Sequence, residues 1–334
     1  MCPAYSFAIK TGVFTAVLPA QCRAWFDAPM KPSGPDLVPA IDIVETITTP
    51  FLVREPLLQV IPAVVGVPHA GRQYPRSFIE QARLSPQALR RSEDAFVDIL
   101  AGKVPDFGVP LLLAQFPRAY LDANREPYEL DPRMFEGRLP PFVNTRSMRV
   151  AGGLGTIPRI VGDGQDIYPR RIPASDALNR IEALYKPYHA ALRGLIARTR
   201  TRFGLCVHVD LHSMPSTGLE REGAGRPDII LGDRFGTSAA LGIVDHAEDA
   251  LRAAGFTVSR NRPYAGGYIT EHYGQPRTHV HALQIEINRG LYMNEAAIEP
   301  SQQFGDVHDA LSRGLAAMFS AWTSGLLSFS AAAE

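Results

Sequence analysis

Cysteine is scarce in this 334-residue sequence: Cys2, Cys22 and Cys206 are the only three, with no Cys-x-x-Cys pair. That excludes a disulfide framework and a structural zinc knuckle, and it suits the reducing cytoplasm. No stretch approaches the ~18 uninterrupted apolar residues that a bilayer span requires, so no membrane role is expected. A surplus of one charge is missing too, because 34 Lys and Arg offset 34 Asp and Glu. Binding a polyanion needs excess cations on one surface, so nucleic acid is not an expected partner. There is no GxxxxGK[ST] phosphate loop and no GxSxG nucleophile elbow, and AGGLGTI at 151–157 lacks the GxGxxG spacing and a preceding strand. What is present is 46% hydrophobic against 20% charged residues, enough for a buried core in a mixed α/β globular protein.

Residues 13–20 (VFTAVLPA) form a short apolar run behind Lys10, but Pro19 and Gln21 interrupt it, so a secretory signal is not expected. Four prolines and a glycine in 29–40 read as a linker. We therefore read 1–48 as an N-terminal extension and 49–330 as a single domain. Within it, 57–67, 110–115, 205–211, 228–232 and 280–288 read as strands, and 86–101, 176–198, 237–254 and a closing segment from Phe304 to Trp322 as helices. The long 117–172 stretch is dense in Pro, Gly and Arg and reads as functional loop. Strands alternating with helices predict a largely parallel sheet with helices on both faces.

In such sheets polar functional groups gather at the carboxyl ends of strands. VVGVPHAGRQYP delivers His69 into a turn after the first strand, and LCVHVDLHSMP delivers His212 at the end of another. Two histidines at strand ends with one carboxylate fit a metal site of three protein ligands and an open position. His208 shares the face of His212 and is its rival, lying four residues, ~13 Å, deeper along the strand. Asp210 is placed to orient a ligand from behind. ALQIEINR carries Glu286 inside an apolar strand, where a carboxylate is costly unless paired, protonated or cation-bound. It reads either as a structural ion pair or as a catalytic base. By strand alternation Arg289 and Ser213 point away from Glu286 and His212 respectively. Glu93 and Asp94 lie on the predicted 86–101 helix, where composition alone gives a solvated acidic turn against Arg90 and Arg91. Arg118, Asn124 and Arg125 follow the second strand as a candidate anion site. Tyr264 and Tyr268 flank paired glycines that permit a mobile flap.

Taken together, PHAGRQYP, RRSEDAFVD, PRAYLDANREPYELDP, VDLHSMP, LGDRFG, RPYAGGYITEHYG and ALQIEINRGLYMNE resemble, in the same order, the N-formylglutamate amidohydrolase family. The resemblance runs from about Val64 to Glu295. It implies a phosphorylase/hydrolase-like α/β fold, three-layer α/β/α with a mixed, largely parallel sheet, akin to the zinc carboxypeptidases and aspartoacylase-like deacylases, with one Zn2+ per chain. His69 and His212 then become zinc ligands. Those relatives carry a carboxylate three residues after the first histidine, where this sequence has Arg72, so the second ligand is assigned to Asp94, with Glu93 as the alternative. The resemblance also implies Glu286 as general base, Arg118 at the oxyanion, Asn124 and Arg125 on a substrate carboxylate, and Tyr264 or Tyr268 on a flap. The implied activity is hydrolysis of N-formyl-L-glutamate to formate and glutamate, a step of histidine breakdown. A deacylase for another N-acyl amino acid or short peptide, or a metal-free binding protein on the same fold, are the alternatives.

Overall fold

The computed structural model describes residues 41–217 and 226–330. The apolar run at 13–20 and the proline-rich 29–40 segment lie outside the described residues. The described residues all fall within one compact unit, Val38–Glu334. Part of the segment assigned to the extension is built into it: Asp42–Val44 pairs in parallel with Gln73–Pro75.

Seven strands make the central sheet: β1 (Phe51–Arg54), β2 (Ala63–Val67), β3 (Leu111–Ala114), β4 (Cys206–Met214), β5 (Ile229–Gly232), β6 (Val258–Arg260) and β7 (Val280–Asn288). Their spatial order is β6-β5-β7-β4-β2-β3-β1. The pairings β6–β5, β7–β4, β4–β2 and β2–β3 are parallel, while β5–β7 and β3–β1 are antiparallel. The sheet is thus mixed and largely parallel, as the sequence predicts. Every residue of β2, β3, β4, β5 and β7 is buried. Burial on both sides follows from helices covering both faces of the sheet, and the polar residues of β4 and β7 are buried along with the apolar ones.

Alternation along the strands sorts side chains into two cores. Val65, Val67, Val207, Val209 and Leu211 join Ile243, Val244, Leu251, Leu311, Leu315 and Trp322 on one face. Those partners come from the helices Leu241–Ala253 and Phe304–Ser330. On the other face Val64, Leu112 and Cys206 meet Tyr188, Leu192, Leu195 and Ile196 of the helix Lys186–Phe203. The result is the predicted α/β/α sandwich. The apolar stripe read from 176–198 is real, although a widened turn at Ile181–Tyr185 separates Ala174–Arg180 from Lys186–Phe203.

Two elements differ from their sequence reading. The strand expected over 57–67 is confined to Ala63–Val67, with Leu57, Leu58 and Val60 exposed in the turn before it. The helix expected over 86–101 is broken into Pro86–Arg90 and Val97–Leu100. The break occurs where the Asp94 amide donates to the His69 carbonyl at 3.0 Å and Phe96 adopts a left-handed φ of 68°. Tertiary bonding overrides the helical periodicity here, and it lifts Asp94 out of a solvated helix face into the interior.

Candidate functional site

The carboxyl ends of β2, β4 and β7 lie side by side, and each supplies a polar residue to one buried cluster. His69 follows β2 by two residues; His212 lies near the end of β4. The parallel register places Glu286 of β7 directly beside His212. Between the two imidazoles stands Asp94, fully buried on the broken segment. Its Oδ2 lies 3.0 Å from His212 Nδ1 and 3.4 Å from His69 Nδ1.

The rings are fixed from behind. His69 Nε2 lies 2.7 Å from Asp122 Oδ1, and His212 Nε2 lies 2.9 Å from Asp210 Oδ2. A carboxylate only accepts, so each Nε2 can give its proton to the aspartate behind it, and a ring neutral in that tautomer would turn an Nδ1 lone pair toward Asp94. The other Asp94 oxygen is occupied: Oδ1 accepts from Arg289 Nη2 at 2.9 Å and from Ser213 Oγ at 3.3 Å. Three donor atoms therefore converge, all within 4.8 Å of one another. His69 Nδ1 is buried with no hydrogen-bond partner among the described residues. Converging lone pairs repel unless a cation stands among them, and two imidazoles with one carboxylate are donors suited to a divalent metal. The electrostatics mark the same need for positive charge among these groups. Burial alone would raise the Asp94 carboxyl, yet the hydrogen bonds from His212 and His69 hold it well below its usual range. At His212 burial favours the neutral ring, but Asp210, Asp94 and Glu286 override it and favour positive charge.

Around this centre lie the other predicted residues. Glu286 is buried, and its carboxyl is pushed up to about 7, first by burial and then by the nearby charge of Asp94. Gln284, on the same strand face, donates to Glu286 Oε1 at 2.7 Å. Arg118 donates from Nε to Asp122 Oδ2 at 3.1 Å and keeps its Nη1 4.0 Å from Asp94 Oδ1, with 26% of its side chain exposed. Tyr264 is half-buried, and its hydroxyl is raised by burial and then by Glu286. Asn124 accepts from the Ile269 amide at 2.7 Å and donates to Asp210 Oδ2 at 3.3 Å. Arg125 gives Nε to the Leu154 carbonyl and Nη1 to the Asn124 carbonyl, each at 2.7 Å, and holds Nη2 3.3 Å from Asp122 Oδ2. Each of its three nitrogens thus has a protein acceptor, so Arg125 braces the 122–125 turn.

Several sequence readings change. Glu93, the alternative to Asp94, is committed elsewhere: Tyr74 donates to it at 2.6 Å and Arg90 at 3.1 Å. Arg72 pairs with Asp98 through both carboxylate oxygens. His208 faces inward to the Val64 carbonyl at 3.3 Å, away from the donor triad. Ser213 and Arg289 do not point away, as alternation alone suggested; the chain turns at Arg289–Leu291, directly after β7, and both side chains reach Asp94. Of the two flap tyrosines, Tyr264 neighbours Glu286, whereas Tyr268 stacks on His272 in a separate cavity of about 640 Å³. The flap glycines serve close approach. A Cβ on Gly267 would stand 2.4 Å from Asn124 Nδ2, and its amide donates to Gln284 Oε1 at 2.7 Å. Sequence reasoning missed Asp122, Gln284 and the roles of Ser213 and Arg289. Asp122 was open to discovery, since it is the acid two residues before Asn124 in an already conspicuous motif.

The comparisons with known proteins bear on the same region. The family model for N-formylglutamate amidohydrolase matches residues 61–293. The N-formylglutamate deformylase of Pseudomonas putida is 26% identical over 242 residues, covering 70% of this chain and 83% of that protein. Its counterpart in Pseudomonas aeruginosa is 27% identical over 244 residues, covering 71% and 84%. The crystal structure of N-formylglutamate amidohydrolase from Ralstonia eutropha JMP134 superimposes with a TM-score of 0.76 at 36% identity, over 81% of this chain and 97% of that one. The matched span contains every strand from β2 to β7 and all the residues gathered around Asp94, so fold, site and sequence agree that this chain belongs to the N-formylglutamate amidohydrolase family.

Proposed function

We propose that the protein is a metal-dependent hydrolase that removes the formyl group from N-formyl-L-glutamate, releasing formate and glutamate. One observation carries the reading: the His69–Asp94–His212 donor cluster stands beside the buried carboxylate of Glu286 in a chain of this family. His69 Nδ1, Asp94 Oδ2 and His212 Nδ1 would hold one divalent ion, and the mixed nitrogen and oxygen donors suit Zn2+. Such an ion, when bound, supplies Lewis acidity to the scissile carbonyl.

The protein's own groups then divide the work. Burial keeps Glu286 near about 7, the range in which one carboxyl can both take and return a proton at neutral pH. Glu286 accepts a proton from the attacking water and gives it to the departing amine nitrogen as the C–N bond breaks. Arg118, partly exposed and anchored by Asp122, is placed to donate to the oxygen on which charge develops. Asn124 and Arg125 shape the wall of the substrate site, and Tyr264 closes it above Glu286.

The test is direct. Purified protein supplemented with Zn2+ should release formate and glutamate from N-formyl-L-glutamate. Activity confined to N-acetyl or neutral N-acyl amino acids would replace this substrate with another in the same class. Failure to bind metal or hydrolyse any of them would leave a binding protein.

A further inference from the structure

One cation near the site has no assigned work. Arg226 precedes β5, which runs antiparallel to β7, so the start of β5 lies at the sheet edge where β7 and β4 end. The arm is stitched there by the Asn288 amide, which donates to the Asp228 carbonyl at 2.9 Å, two residues beyond Glu286. Both terminal nitrogens of Arg226, Nη1 and Nη2, are buried with no hydrogen-bond partner among the described residues. The other guanidiniums at this edge each have a protein carboxylate for a partner: Arg118 and Arg125 pair with Asp122, Arg289 with Asp94. The nearest acid in the chain, Asp228, accepts from the Thr257 amide and hydroxyl, both at 2.8 Å.

A guanidinium taken out of water without a counter-ion is costly, and its planar fork matches a carboxylate through two parallel hydrogen bonds. We propose that Arg226 is the receptor for a carboxylate of the substrate, and so the residue that selects N-acylated dicarboxylic amino acids at the metal centre. The inference rests on the proposed function for the location of the substrate, and it moves the carboxylate grip from Arg125, which is bonded to protein, to a residue whose terminal nitrogens have no partner among the described residues. Tyr264 supports the placement, because its hydroxyl feels both the Glu286 carboxylate and the Arg226 guanidinium.

The experiment compares wild type, Arg226→Gln and Arg226→Lys, each metal-loaded, on N-formylglutamate, N-formylglutamine (no side-chain carboxylate) and N-formylisoglutamine (no α-carboxylate). For N-formylglutamate kcat/KM should fall about 10- to 100-fold in Arg226→Gln, the worth of a hydrogen-bonded charge pair. Arg226→Lys should recover part of the loss. With the analogue lacking the gripped carboxylate, the penalty should shrink below about threefold; which analogue this is identifies the carboxylate. An equal penalty on all three substrates, or none on any, overturns the assignment. Calorimetric binding of N-formylglutamate to Glu286→Gln protein, with and without Arg226→Gln, reads the same contact without turnover. If wild type binds the acid through Arg226 yet does not hydrolyse it, the proposed function fails and the carboxylate receptor stands. If it hydrolyses the acid and Arg226→Gln binds it equally well, the reverse holds.

Discussion

His69 and His212, carried on strands from opposite halves of the chain, stand with ring centroids 4.8 Å apart and planes tilted by 57°. Both turn Nδ1 to the same oxygen of Asp94. Parallel pairing of β2 with β4 makes this possible, since it brings the ends of two distant segments to one edge. Two side-chain torsions of each ring stay open once its backbone is placed, and the contacts with Asp122 and Asp210 fix the ring orientation.

Metal content follows from that geometry. Wild-type protein is expected to hold one divalent ion per chain after supplementation and dialysis. Replacing His69, Asp94 or His212 with Ala should lower the content below about a tenth, because each removes one of three donors. Elemental analysis decides it, and full occupancy in all three variants would refute the donor assignment.

Glu286→Gln separates binding from chemistry. The variant should keep its metal while kcat drops at least ~100-fold, the lower bound for a positioned acid–base group. Near-normal turnover would remove Glu286 from proton transfer.

Asp122→Asn probes the support behind His69. Asn keeps the size but can present its amide donor to Nε2, which frees the wrong tautomer. Metal affinity is expected to weaken about 10- to 100-fold. Competition with a graded chelator measures it, and wild-type affinity in the variant would show that the ring is held by other means.

His189 sets an acid limit on the fold. It is buried, accepts from the Tyr273 hydroxyl at 2.8 Å and donates to the Ala123 carbonyl at 2.9 Å, and burial lowers its pKa from 6.5 to about 4. The folded state therefore favours the neutral ring. Its contribution is complete above about pH 6.5 and is lost as pH falls toward about 4, on the order of 3 kcal/mol in total. His281, also lowered to about 4, acts in the same direction. Urea denaturation from pH 7 to 4 should show the decline, and His189→Gln should flatten part of it. An identical slope in the variant would assign the acid sensitivity elsewhere.

Much of the architecture was legible in the chain because burial on both faces leaves plain marks. Short apolar runs marked β3 and β5, apolar residues at every second position marked β4 and β7, and three- and four-residue spacing marked the helices ending near Phe203 and running from Phe304 past Trp322. The short strands β1 and β6 carry no such mark, since each has only three or four residues with alternating or partial exposure. Asp94 was the hardest to place: its neighbours read as a helix, and only the hydrogen bond to the His69 carbonyl diverts the backbone.

By itself, then, the sequence determined the layers, the strand-end location of His69 and His212 and the burial of Glu286, all of which follow from local periodicity and hydrophobic patterning. Only the tertiary structure decided which carboxylate of the Glu93–Asp94 pair faces the imidazoles, that Asp122 stands behind His69, that Arg289 and Ser213 reach Asp94, and that Arg125 is bonded to protein while the terminal nitrogens of Arg226 have no partner among the described residues. The physical reason is that hydrogen-bond partners are chosen by distance and direction in space, and residues far apart in the chain acquire both only when the sheet registers are set.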